Sequence, residues 1–214
     1  MGKYRNSVAK PDKKPLSSSA EKICDAAASH FAVHGYGASS LSMIAEQVGI
    51  RKASIYAHFS GKDELYLQVF ERAVEKESAF AEKCFRKDAK EMPGFVYCGQ
   101  LKPHYAKAPY FRFLLRAAYL PPKPVRALLV PGFKVYQQKL CDLFLEHAGR
   151  QFAFPEISRS DLAEFTEAYI GIVDSLHGEL LYAGSTRFEV RFKALWRVFS
   201  DSIRTSQGSS SSEK

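Results

Sequence analysis

From Ser18 to about residue 205 the apolar side chains recur in steps of three and four. Hardly a stretch alternates with the period of two that a half-buried strand requires. That regularity restricts the chain to an all-α architecture, cut into helices wherever glycine or proline interrupts it. The first helix is expected near Ser18, where Ser18-x-x-Glu21 has capping-box spacing, and its end at Gly35; Ile23, Ala27 and Phe31 form its apolar stripe. A short second helix follows Ser40, carries Leu41, Ile44, Ala45 and Val48, and stops at Gly49. A third runs from about Lys52 to His58. Ser60-Gly61 ends it, and a longer fourth starts near Lys62 and continues into the eighties, with Leu65, Val69 and Val74 among its apolar positions.

Beyond Pro93-Gly94 the pair Lys102-Pro103 suits another helix start. Pro109 to Ala118 reads as a short apolar helix closed by Pro121-Pro122. The segment from Pro124 to Gly149 is helical again, with Pro131-Gly132 expected to kink or split it. Two helices, about 160–183 and 187–205 with Gly184 between them, close the fold. Leu162, Phe165, Tyr169, Val173, Leu176 and Leu180 stripe the first; Phe188, Phe192, Leu195, Phe199 and Ile203 stripe the second.

A length of 214 residues allows one generous domain or two small ones packed together. The composition suggests a flexible basic arm at 1–17, a small helical domain at 18–65, a larger one at 66–207 and a disordered polar tail at 208–214. The fourth helix would cross the inner boundary as a shared strut. The net charge of +8 is uneven: residues 90–140 hold nine basic side chains and one acidic one. Such an excess favours a polyanionic partner such as nucleic acid. Cys24, Cys84, Cys98 and Cys141 form no C-x-x-C pair and read as reduced, mostly buried thiols. No apolar run reaches the ~18–20 residues of a membrane span, and no apolar core of a signal peptide follows the basic N-terminus. A soluble cytoplasmic protein is the expectation.

Catalytic patterns fail on spacing. G-x-S-x-G, H-E-x-x-H and zinc-spaced Cys/His clusters are missing, so no enzyme, metal site or cofactor is expected. Ser60-Gly61-Lys62-Asp63 lacks the earlier glycine and the final Ser or Thr of a phosphate-binding loop. Asp142, Glu146 and His147 share a helix face and read as a solvated surface.

What remains is the corner formed by the second and third helices. Ile44, Ala45, Val48, Ile50 and Ile55 would pack inward, Ala45 being small where the two helices cross and Gly49 supplying the bend. That packing leaves the outer face of the third helix free to enter a major groove. Residues 35–65, GYGASSLSMIAEQVGIRKASIYAHFSGKDEL, resemble the DNA-binding signature of TetR-family transcriptional regulators. The resemblance rests on Gly35-Tyr36, Ile44-Ala45, Gly49, Ile55-Tyr56-x-x-Phe59 and Lys62-x-x-Leu65, at matching spacings and without gaps. It implies that Ser40 and Lys62 meet phosphates and that Arg51, Lys52, Ser54, Tyr56 and His58 face the DNA. Arg51 departs from the family, which usually has a small N-capping residue there. The expected consequence is a lost cap and a gained base or phosphate donor.

Over the rest of the chain the resemblance is one of layout. It implies a body with an effector pocket among the fourth to eighth helices, for which Phe111, Arg112, Arg116, Tyr136, Phe165 and Tyr169 are candidates. Arg112 and Arg116 lie four residues apart on one face. Turned inward they would need an anionic ligand; turned outward they would meet solvent or DNA. The resemblance also implies a homodimer through the last two helices, with Leu162, Tyr169, Val173, Leu176, Leu180, Phe192, Leu195, Trp196 and Phe199 as candidates. The function so implied is a ligand-responsive regulator, most simply a repressor released from a near-palindromic operator by a small molecule. A sequence-tolerant architectural DNA binder is the alternative that the charge allows.

Overall fold

The computed structural model describes residues 16–88, 91–151, 158–183 and 185–209. The expected basic arm therefore falls almost wholly outside the described residues, as do Gly184 and the last five residues of the tail. Among the described residues there are nine α-helices and no strand: α1 Ser18–His34, α2 Leu41–Val48, α3 Lys52–Tyr56, α4 Lys62–Phe85, α5 Phe95–Lys107, α6 Pro109–Tyr119, α7 Arg126–Gln151, α8 Arg159–Gly178 and α9 Ser185–Ser209, with a π-helical turn at Glu179–Ala183 after α8.

Most boundaries lie where glycine, proline and caps put them, and the departures have local causes. The N-cap of α1 is Ser17, not Ser18: its hydroxyl accepts from the Ala20 amide. Helix α5 begins at Phe95 and carries Pro103 within it, so Pro103 does not start a helix. The start is instead set by Asp88, which is fully buried and accepts from the amides of Gly94 at 2.8 Å and Val96 at 2.9 Å. Pro131 likewise lies inside α7 without splitting it. Helix α9 runs to Ser209, into the stretch expected to be a disordered tail.

Helices α1, α2 and α3 form a small head against the first turns of α4. The rest of α4 packs on α5, α6 and α7, so one helix belongs to both parts. A second contact joins them: α6, from the body, lies along α1. Phe31 of α1, Tyr66 of α4 and Phe113 of α6 meet there, with centroids 4.8 Å apart for Phe31–Tyr66 and for Tyr66–Phe113. Head and body thus share one apolar core. Cys24, Cys84 and Cys98 are buried free thiols within it, and Cys141 is half-buried. No described helix is long and apolar enough to cross a membrane.

Candidate nucleic-acid interface

The head is built around a left-handed glycine. Gly49 closes α2 at φ 74°, ψ 31°, and its amide reaches back to Ala45 and Glu46 carbonyls. The Ile50 amide also returns to Ala45, at 3.0 Å. This turn sets α3 across α2, with Ile44, Ala45, Ile55 and Phe59 buried between them and α4. Anchored by Ile55 and Phe59, the remaining residues of the segment face out: Arg51, Lys52, Ser54, Tyr56 and His58 are all exposed. Tyr56, half exposed at 52%, has the Lys52 ammonium 5.8 Å from its ring centroid. A phenol, an imidazole and two cations therefore line one protruding edge.

Two other expected contacts differ in their freedom. Ser40 caps α2, its Oγ accepting from the Met43 amide at 3.2 Å. That leaves the hydroxyl proton for an incoming phosphate oxygen. Lys62 is more constrained: its ammonium donates to the carbonyls of Tyr36 and Ser39 at 3.0 Å each and lies 4.1 Å from the Tyr36 ring centroid. It ties the α1–α2 loop to the start of α4, with one N–H left over for phosphate. Tyr36 completes the tie by donating its hydroxyl proton to Asp63. The glycine-containing turn before α4 is answered from within, since Glu64 accepts from the Ser60 amide at 2.6 Å and hydroxyl at 2.5 Å. Arg51 occupies the N-cap of α3 and makes no side-chain cap bond.

This geometry coincides with a known family. Residues 23–69 match the sequence profile of bacterial regulatory proteins of the tetR family. Over these residues the chain is similar to tetR-family DNA-binding domains. Solved structures share the fold of head and body together. The fatty acid degradation regulator FadR from Bacillus halodurans is 17% identical, with a TM-score of 0.65 over 87% of this chain and 96% of that one. The tetR-family transcriptional regulator PfmR from Thermus thermophilus is 18% identical, with a TM-score of 0.58 over 83% and 97%. A transcriptional regulator from Aquifex aeolicus is 18% identical, with a TM-score of 0.59 over 85% and 98%. Among curated proteins none matches the chain.

The helical body disposes of the remaining candidates in three ways. Arg112 and Arg116 cap helices. Arg112 Nη1 donates to the carbonyls of Tyr105 and Ala106 at the end of α5, at 2.9 and 3.0 Å. Arg116 Nη1 donates to Val33 and Ala32 at the end of α1, at 3.2 and 3.4 Å. Each guanidinium thus sits on the negative end of a helix. Gly35 leaves the space that Arg116 fills: a Cβ there would lie 2.8 Å from Nη2.

Phe111, Tyr136 and Tyr169 are fully buried among the body helices, whereas Phe165 packs away from them against Phe199 of α9. The stripe proposed for dimerisation faces the subunit's own interior. Tyr169, Val173, Leu176, Leu180, Trp196 and Phe199 are buried, Trp196 between Phe95 and Phe199; Leu162, Phe192 and Leu195 are half-buried. The outer faces of α8 and α9 carry other residues: Ala168, Gly171, Ser175 and Gly178 on one, Val190, Ala194 and Val198 on the other.

Three polar residues of the body went unnoticed in the sequence: buried Glu77 and His177, and half-buried His104. Glu77 falls four residues after buried Ala73 and four before buried Ala81, and His177 four after buried Val173. A polar residue at an apolar step was the available signal.

Proposed function

We propose that this protein is a transcriptional regulator that binds a near-palindromic operator as a homodimer and is released from it by a small-molecule effector, acting as a repressor. The observation that carries the reading is the exposed edge of α3, where Arg51, Lys52, Ser54, Tyr56 and His58 stand clear of the anchoring Ile55 and Phe59. Such an edge fits the major groove, with Ser40 and the third N–H of Lys62 on flanking phosphates. Promoter occupancy by the dimer would then exclude polymerase.

Dimerisation is assigned to the outer face of α8 and α9. Beyond the local helix backbone, no described atom lies within 4 Å of a Cβ built at Gly171 or Gly178, so a partner helix can approach closely there. Val190 and Val198, 71% and 65% exposed, supply apolar area beside them.

Release is supported by the shared helices. Arg116 holds the end of α1, and at the other end of α6 the Tyr110 hydroxyl donates to Asp25 of α1 at 2.7 Å while accepting from Arg72 of α4 at 3.3 Å. A ligand that displaces α6 would therefore carry the head with it. Thermodynamics requires only that the ligand prefer the displaced state.

The test is selection of bound fragments from random DNA at physiological salt, followed by footprinting. Two half-sites one helical turn or a multiple apart, with a large preference over random DNA, support the proposal. Binding that tracks salt but not sequence would assign the protein to the architectural class instead.

A further inference from the structure

The body helices close a circuit of aromatic rings. Phe80 of α4 stacks on His104 of α5 with centroids 3.6 Å apart, and His104 leads to Phe111 of α6 at 5.1 Å. Phe111 meets His177 of α8 at 5.6 Å, and His177 meets Tyr119 of α6 at 6.1 Å. Tyr119 continues to Phe133 and Phe133 to Tyr136, both steps at 5.8 Å on reaching α7. The Tyr136 hydroxyl is hydrogen-bonded to that of Tyr97, whose ring returns to Phe80 at 6.1 Å. All five helices of α4 to α8 contribute.

Most polar groups in this circuit answer one another, but His177 Nε2 does not. Glu77 is bonded to His104 Nε2 at 2.6 Å. Asp174 accepts from the Tyr119 hydroxyl at 2.7 Å and from Gln137 Nε2 at 3.4 Å. The Tyr119 proton is thus directed to Asp174, so the 3.3 Å contact between Tyr119 and His177 Nδ1 requires Nδ1 to carry hydrogen and donate. His177 Nε2 is then a bare lone pair. It is buried and has no partner among the described residues, on a residue 1% exposed. An unanswered acceptor in an apolar surround is destabilising, and a ligand donor would recover that loss. Burial also holds the imidazole neutral, its pKa pushed down to about 3.

We infer that the effector is an uncharged aromatic molecule bearing a hydroxyl donor, a phenol in class, seated against this circuit with its O–H on His177 Nε2. The inference rests on the reading that the body takes an effector. Two features exclude the opposite charge types. The cations Arg112 and Arg116 are turned onto the carbonyl ends of α5 and α1, so a carboxylate ligand would find neither of them. The acids Glu77 and Asp174 already have partners, so a cationic ligand would meet no open carboxylate.

A matched set of probes tests this: 2-naphthol, naphthalene and 2-naphthoate, titrated calorimetrically into the full-length protein. The expected result is 2-naphthol binding at least ten-fold more tightly than naphthalene, with 2-naphthoate weaker than both. His177→Leu should reduce 2-naphthol to the level of naphthalene while naphthalene binds as before, which shows the site intact. His177→Gln, whose amide oxygen still accepts, should retain most of the preference and covers the case of a misfolded leucine variant. Tight binding of 2-naphthoate, a 2-naphthol preference that survives His177→Leu, or no binding by any of the three overturns the inference. The regulator reading is scored separately on DNA. If 2-naphthol binds through His177 without releasing DNA, the site stands and effector-driven release falls. If other compounds release DNA while 2-naphthol does not bind, the reverse holds.

Discussion

At the position of Arg51 one residue serves two incompatible tasks. It stands where α3 needs a side-chain acceptor and supplies a donor instead, so the first amides of α3 lack that cap. Arg51→Ser should therefore stabilise the protein by about 0.5–2 kcal/mol, read as a rise in the thermal midpoint, while weakening binding to the selected operator; a variant that gains stability and keeps full affinity would remove Arg51 from the interface. His177 makes a second residue-scale prediction. Its folded pKa of about 3 lies below the ordinary 6.5, because burial disfavours the charged form. The unfolded chain takes up the proton first, so this residue's contribution to stability is complete above 6.5 and is lost as pH falls from there toward 3. His30, also buried, shifts in the same direction. Midpoints measured between pH 7.5 and 5 should fall for the wild type and fall less for His177→Gln. Equal slopes would show that the imidazole charges freely. At this scale the exposed edge of α3 was legible in the sequence, because apolar Ile55 and Phe59 fix which neighbours face out. The tie made by Lys62 was not, since its acceptors are loop carbonyls that only the folded corner brings to it.

Among the elements, helix existence followed from periodicity, whereas two starts depended on partners that no local pattern reveals. Three consecutive serines offered equivalent caps for α1, and only the fold selects Ser17. The start of α5 hangs on Asp88, six residues before Gly94 and eight before Val96. Asp88→Ala should cost about 1.5–3 kcal/mol, the usual worth of hydrogen bonds to a charged group, with the loss seen as faster amide exchange across the first turn of α5; unchanged exchange there would mean that the turn holds itself. Arg112 and Arg116 illustrate a further limit. Their spacing announced a shared face, but which carbonyls they meet is decided by how α6 lies on α1 and follows α5. The two arginines should consequently separate in a reciprocal experiment. Arg116→Met should loosen the amides near the end of α1, and Arg112→Met those near the end of α5, each at about 0.3–1 kcal/mol. If both variants loosened the same segment, the assignment of one arginine to each helix would fail.

For the whole molecule, the decisive question is which surface is left for a second copy once the subunit has filled its own core. The strongest apolar stripe of α8 and α9 was the natural sequence choice for dimerisation, yet a helix packed in a body turns its largest side chains toward its own subunit. Tyr169 and Leu176 are fully buried, and Trp196 is only 9% exposed. A close helix–helix contact between subunits needs small residues, and those lie outside, at Gly171, Ser175 and Gly178 on α8 and Ala194 on α9. Arg191 adds rigidity to this face, donating to Ser175 Oγ at 3.1 Å and pairing with buried Glu179 at 2.8 Å. Gly171 is the position at which the two readings diverge most sharply. A Cβ there meets no described neighbour within 4 Å, and arginine replaces a poor helix former with a good one, so the fold should survive. At a contact of two α8 helices, however, it would place two cations against each other across the twofold axis. Gly171→Arg is thus expected to keep its helical circular dichroism, to sediment as a monomer, and to lose operator affinity by far more than a contact-neutral change, because a single head reads one half-site. A Gly171→Arg protein that remained dimeric with full affinity would return the interface to some other face and the spacing of the two heads with it.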